Sequence, residues 1–140
     1  MIGPGIPERI QKLFRKEFPT VENPVFVQTG TTYVVYFNKS NSWSERVFYN
    51  LAAEMVKTIK YYTENELDPM ICERVNSKYK GKTIIRVTEV FSATTHFYQI
   101  ILQGDKHWYI IKSDSNGSMK IQKRWNGKAG TDSAFYPEAK

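Results

Sequence analysis

At 140 residues and 16.3 kDa the chain can hold one joint core, because two domains of half that length would each bury too little apolar surface to fold alone. A hydrophobic share of 41% beside 24% charged residues excludes the disordered and membrane-embedded classes, and the lone Cys72 excludes an internal disulfide or a multi-cysteine zinc site. Twenty basic against fourteen acidic side chains mildly favour acidic partners, but residues 1–62 hold eight against five and residues 63–140 twelve against nine, so each half carries +3 and no polybasic arm stands out.

The opening Met1-Ile2-Gly3-Pro4-Gly5 has neither a basic nor an apolar leader region, which fits a cytoplasmic protein or the mature form of an exported one. Pro7 to Phe18 reads as a helix with Ile6, Ile10, Leu13, Phe14 and Phe18 on one side, stopped by Pro19. The period then falls to two, giving strand candidates at Pro24–Gln28, Thr31–Asn38, Glu45–Leu51 and Glu54–Tyr62. A second helix follows, capped by Asp68, begun by Pro69, carrying Ile71, Val75 and Tyr79 in one row and ended at Gly81. Four more strand candidates close the chain: Lys82–Phe91, Thr94–Gln103, Lys106–Ser113 and Ser118–Trp125. Between them, Gly104-Asp105 and Asp114-Ser115-Asn116-Gly117 are hairpin turns.

Laid on one another, Tyr33-Val34-Val35-Tyr36-Phe37 matches Tyr98-Gln99-Ile100-Ile101-Leu102, and Lys57 through Tyr62 matches Lys120 through Trp125. The expectation is an α+β fold of two tandem units, 1–62 and 63–125, each a helix followed by three or four strands, with a polar tail at 126–140. Short connections make the strands antiparallel, so the units would share one sheet with both helices on one face and the other face open.

The run Ile6-Pro7-Glu8-Arg9-Ile10 through Phe18-Pro19, then Tyr33 through Phe37, then Asp114 through Gly117 ahead of Met119, resembles the PepSY-like group that is itself likened to the β-lactamase inhibitor protein. Leu51-Ala52-Ala53-Glu54 departs from the family's Asp-Gly turn, and Lys80-Gly81 stands where a proline would end the second helix. The resemblance implies an exported, non-enzymatic protein of the inhibitor or binding type, periplasmic or secreted.

Catalytic chemistry has little to stand on. His96 and His107 have no second ligand at metal spacing, and Cys72 beside Ile71 and Val75 reads as a core thiol. Glu64, Glu66 and Asp68 precede a helix whose N-terminal dipole favours negative charge. Asp114 through Gly117 lacks the later oxygen ligands of a calcium loop, and no phosphate-cradling glycine motif or nucleophile elbow occurs. No cofactor or metal is implied.

The informative signal is a set of aromatic doublets: Tyr36-Phe37, Phe48-Tyr49, Tyr61-Tyr62, Phe97-Tyr98 and Trp108-Tyr109. Consecutive strand residues point to opposite faces, so each doublet sends one ring to either side. Taking the more apolar parity of each strand as core assigns Ile59, Tyr61 and Trp125 inward with Tyr33, Val35, Phe37, Tyr49, Tyr98, Ile100 and Ile111. The open face would carry Tyr36, Phe48, Tyr62, Phe97 and Trp108, interleaved with Arg46, Lys60, Lys120 and Arg124, as a surface for a protein partner. Two other uses of the same face are single-stranded nucleic acid or another polyanion, and homodimerisation. The bland alternative is that twist scatters these rings or the tail covers them.

Overall fold

The computed structural model describes residues 5–126. The chain builds α1 (Glu8–Glu17), β1 (Val25–Thr29), β2 (Thr32–Ser40), β3 (Trp43–Tyr49), β4 (Met55–Tyr62), α2 (Pro69–Lys78), β5 (Thr83–Ser92), β6 (His96–Gln103), β7 (His107–Asp114) and β8 (Met119–Asn126), with a 3-10 turn at Glu64–Glu66. All eight strands form one antiparallel sheet in the order of the sequence.

This overturns the expectation of two tandem helix-plus-strand units with an open second face. Strands hold 52% and helices 19% of the described residues, in a single uninterrupted sheet. The seam between the expected units, β4 against β5, is paired from Lys57↔Ser92 to Tyr62↔Val87 like any other neighbouring pair. The physical reason is that each connection returns the chain beside the strand just laid, so sheet hydrogen bonding continues through the middle and dominates two helices of only ten residues each.

One face of the sheet, the first, carries Val35, Val47, Tyr98 and Ile100. There α1 buries Ile10 and Phe14, both fully, against Phe26, Val35 and Phe37, while Leu13 of the same stripe stays partly exposed. α2 buries Ile71 and Val75 against Val87, Ile100 and Ile111. Asp68 caps α2 as its sequence indicates, its Oδ1 accepting from Met70 N–H at 2.9 Å and Ile71 N–H at 3.3 Å.

Two hairpins share one turn design. In β7–β8, Asp114 Oδ1 accepts from the N–H groups of Asn116 (2.9 Å) and Ser118 (3.0 Å), and Gly117 takes a positive φ of 91°. In β3–β4, Asn50 Oδ1 accepts from Ala52 (2.9 Å) and Glu54 (3.0 Å), and Ala53 takes φ 64°. Thus the Leu51-Ala52-Ala53-Glu54 stretch, unlike an Asp-Gly turn in composition, adopts the same geometry with Asn50 in the role of Asp114. Each hairpin also carries one unpaired residue in its second strand, Val56 in β4 and Gln122 in β8.

Candidate functional site

Cross-strand partners lie on the same face, so the ladder fixes which side chains meet. On the second face one row runs Tyr36, Arg46, Ile59, Val90, Phe97 and Asp114 from β2 to β7. A neighbouring row brings Val34 beside Phe48 and Phe48 beside Lys57. The Arg46 guanidinium stacks over both Tyr36, 5.1 Å from the ring centroid, and Tyr61, 5.0 Å away. Lys57 Nζ lies 4.7 Å from the Phe48 centroid, and Lys112 Nζ 4.3 Å from that of Phe97. Tyr36, Arg46, Phe48, Lys57, Ile59 and Tyr61 line a groove of about 860 Å³ that opens to solvent.

This face is not open in the sense the sequence suggested, because it has buried clusters of its own. Ile59, Val90 and Phe97 form one, flanked by Phe48 and Tyr61; Ile101, Trp108 and Ile110 form another, flanked by Trp125. Trp108 is only 1% exposed and Phe97 6%. Tall side chains on a pleated surface bury one another once their cross-strand neighbours are also large or long, without needing a covering helix.

Of the nine residues singled out from the sequence, six are on this face: Tyr36, Arg46, Phe48, Phe97, Trp108 and Lys120. Three are not. Tyr62 pairs with Val87, Lys60 with Glu45 and Glu89, and Arg124 with Tyr109, all on the first face. Conversely Ile59, Tyr61 and Trp125, read as core, sit on the second face. In β4 both parities end in a tyrosine, so composition could not choose between them. In β8 the unpaired Gln122 reverses the parity halfway, sending Met119 and Ile121 to the first face but Lys123 and Trp125 to the second. The groove brings together Tyr36, Arg46 and Phe48, adds Lys57 and Tyr61, which sequence reasoning missed, and leaves Lys120 beside Lys112 towards the far edge. The signal for Lys57 was the break in alternation at Met55-Val56, where two apolar residues adjoin.

The first face holds a polar network instead. Tyr62 Oη donates to Glu89 Oε1 at 2.6 Å, and the other carboxylate oxygen lies 2.7 Å from His96 Nε2. Burial first, and then the bond to Glu89 and its charge, drive the Tyr62 phenol far above its ordinary value; burial and the Glu89 charge push Tyr98 up to about 12. Tyr49, buried with the Glu17 charge behind it, is also pushed up to about 12, and its hydroxyl has no hydrogen-bond partner among the described residues. Burial, followed by Glu64, raises the Cys72 thiol, the opposite of what activates a nucleophile. Among the described residues no group of three or more His, Cys, Asp or Glu is placed to hold a metal ion, and no helix is long and apolar enough to cross a membrane.

Solved structures of several Bacteroides proteins share this fold. A BLIP-like protein from Bacteroides fragilis superposes with a TM-score of 0.67 at 16% identity, over 92% of this chain and 94% of that one. A DUF2874 family protein from Bacteroides ovatus gives 0.66 at 21% identity, over 89% of each chain. A proposed periplasmic protein from Bacteroides eggerthii gives 0.63 at 20% identity, over 86% of this chain and 88% of that one. No family model matches the sequence, and no curated protein does. At these identities the likeness is one of fold. It supports the β-lactamase-inhibitor-protein-like fold drawn from the sequence; the PepSY part of that resemblance has no counterpart among these three.

Proposed function

We propose that the chain is a non-enzymatic, exported module of the binding or inhibitor type, and that it holds a protein partner against the β2–β4 end of the second sheet face. The observation that carries this reading is the groove itself: a guanidinium set between two tyrosine rings and an ammonium over a phenylalanine, on a surface that neither helix among the described residues occupies. Aromatic rings with arginine are the side chains most enriched at binding hot spots. The fold it shares with a BLIP-like protein and with a proposed periplasmic protein agrees with an exported, inhibitor-type role. Stacking of nucleic-acid bases is the weaker reading, because Phe97 and Trp108 are buried and Tyr36, Phe48 and Tyr61 already lie under cations.

The test is capture by the immobilised chain from a Bacteroides periplasmic fraction, compared with a Tyr36→Ala/Arg46→Ala/Phe48→Ala variant of the same unfolding midpoint. Partner retained by the parent chain and lost by the variant supports the assignment. Equal capture by both moves the site elsewhere.

A further inference from the structure

The charges of the second face point to the chemistry of what it holds. Among the described residues its strand positions carry Arg46, Lys57, Arg86, Lys112, Lys120 and Lys123 against a single carboxylate, Asp114, whose Oδ1 is already taken by two backbone N–H groups of its own turn. Two copies of such a face would set like charge against like, which disfavours a dimer through it. Among the described residues Arg46 and Lys57 have no ion-pair or hydrogen-bond partner, although both are partly withdrawn from water beside Ile59 and Phe48. A guanidinium stacked on rings keeps its N–H fork free at the edge, the geometry that takes a carboxylate with two parallel bonds.

Spacing narrows the ligand further. Arg46 opposes Ile59 and Lys57 opposes Phe48, so Arg46 and Lys57 are diagonal neighbours on adjacent strands, about 7–8 Å apart. In an extended chain the side chains at i and i+2 share one side and are roughly 6.5–7 Å apart. We infer that the groove recognises an extended segment of a protein partner bearing two carboxylates at alternate positions, one taken by Arg46 and one by Lys57. This rests on the reading that the groove is the partner site, and deepens it by naming the partner's chemistry.

The probe is a fluorescein-labelled peptide carrying just two glutamates, at alternate positions with valine between and around them, titrated by anisotropy against the whole chain. Its comparators are the glutamine isostere, a peptide of the same composition with its glutamates adjacent, and a single-stranded oligonucleotide. The expected result is binding of the alternating acidic peptide, about tenfold weaker for the glutamine isostere, for the adjacent-glutamate peptide and for Arg46→Gln, and a smaller loss for Lys57→Gln, with unfolding midpoints unchanged. Equal binding of the isostere, or no effect of Arg46→Gln, overturns the carboxylate assignment. So does failure of every peptide. In those cases the capture experiment above still decides separately whether the groove binds protein at all. An oligonucleotide that binds more tightly than the acidic peptide, with affinity falling steeply with salt, replaces the inference with polyanion binding.

Discussion

The β3–β4 and β7–β8 hairpins are built alike and end up doing different things. Both use a side-chain oxygen to gather two backbone N–H groups in the turn, and both carry one unpaired residue in the second strand. Both present rings and cations on the second face. In β7–β8 the Trp108 ring lies among Ile101 and Ile110 and is sealed, whereas in β3–β4 Phe48 and Tyr61 keep partial exposure beside Arg46 and Lys57 in the groove. The cross-strand neighbours make the difference: branched aliphatics of β6 and β7 close over an indole, while the longer cationic chains of β3 and β4 lie across their rings and leave a channel. A ring on a sheet face is thus a stability element or a recognition element according to what its neighbouring strands place beside it.

The largest expected effect follows directly. Trp108→Ala should lower stability by about 3–5 kcal/mol, the usual cost of emptying a sealed aromatic site, whereas Phe48→Ala should cost about 1 kcal/mol, both read from urea midpoints. If the two substitutions cost the same, the groove is core as well, and the contrast between the hairpins collapses along with the binding reading.

A smaller effect comes from pH and falls more heavily on the first hairpin, which holds two of the three phenols that burial keeps protonated among the described residues, Tyr49 and Tyr62, the third being Tyr98 on β6. Because folding raises their proton affinity, their contribution is fully present below the unfolded value near 10 and is lost as pH climbs from there through about 12. For Tyr49 alone the loss is roughly 2–3 kcal/mol, at about 1.4 kcal/mol for each tenfold change in proton affinity. Chemical denaturation at pH 9 and pH 11.5 captures about 2 kcal/mol of it, and Tyr49→Phe should flatten the dependence while leaving neutral-pH stability equal or slightly higher, since it deletes a buried hydroxyl without a partner. A pH dependence unchanged in Tyr49→Phe would show that the phenol is hydrated.

What could be read from the sequence follows the same division. Both helices, the Asp68 cap, the approximate strand positions and the Asp114 turn rest on local signals, periodicity and cap or turn chemistry, and all are where the residues indicated. That no unit boundary falls between residues 62 and 63 was not legible, because the pairing of β4 with β5 is non-local and leaves no mark in either strand alone. Neither were the faces of Tyr62, Lys60 and Arg124: a bulge such as Gln122 shifts parity by one, and a one-residue shift moves every later side chain to the other side. Trp108 was assigned to the right face but not to its burial, which depends on Ile101 and Ile110 beside it. The expected tail, apart from Asn126, lies outside the described residues.

The smallest expected effects compare the two turns themselves. Gly117 at φ 91° and Ala53 at φ 64° hold the same position of the same turn, and only glycine occupies left-handed backbone without a steric penalty. Gly117→Ala should therefore cost about 1–2 kcal/mol, the strain being joined by a Cβ that would come within 2.6 Å of Arg74 Cδ, a flexible side chain able to swing aside. Ala53→Gly should move the other way. It relieves the backbone strain, while the lost methyl, packed against the Ile10 and Phe14 cluster, and the freer unfolded chain return part of that gain, leaving a net stabilisation of up to about 1 kcal/mol. Thermal and urea unfolding of the two variants, side by side, provide the measurement. Opposite signs would confirm that one turn geometry serves both hairpins and that the β3–β4 copy carries uncorrected strain next to the groove; a destabilised Ala53→Gly would mean that the methyl's packing outweighs the strain.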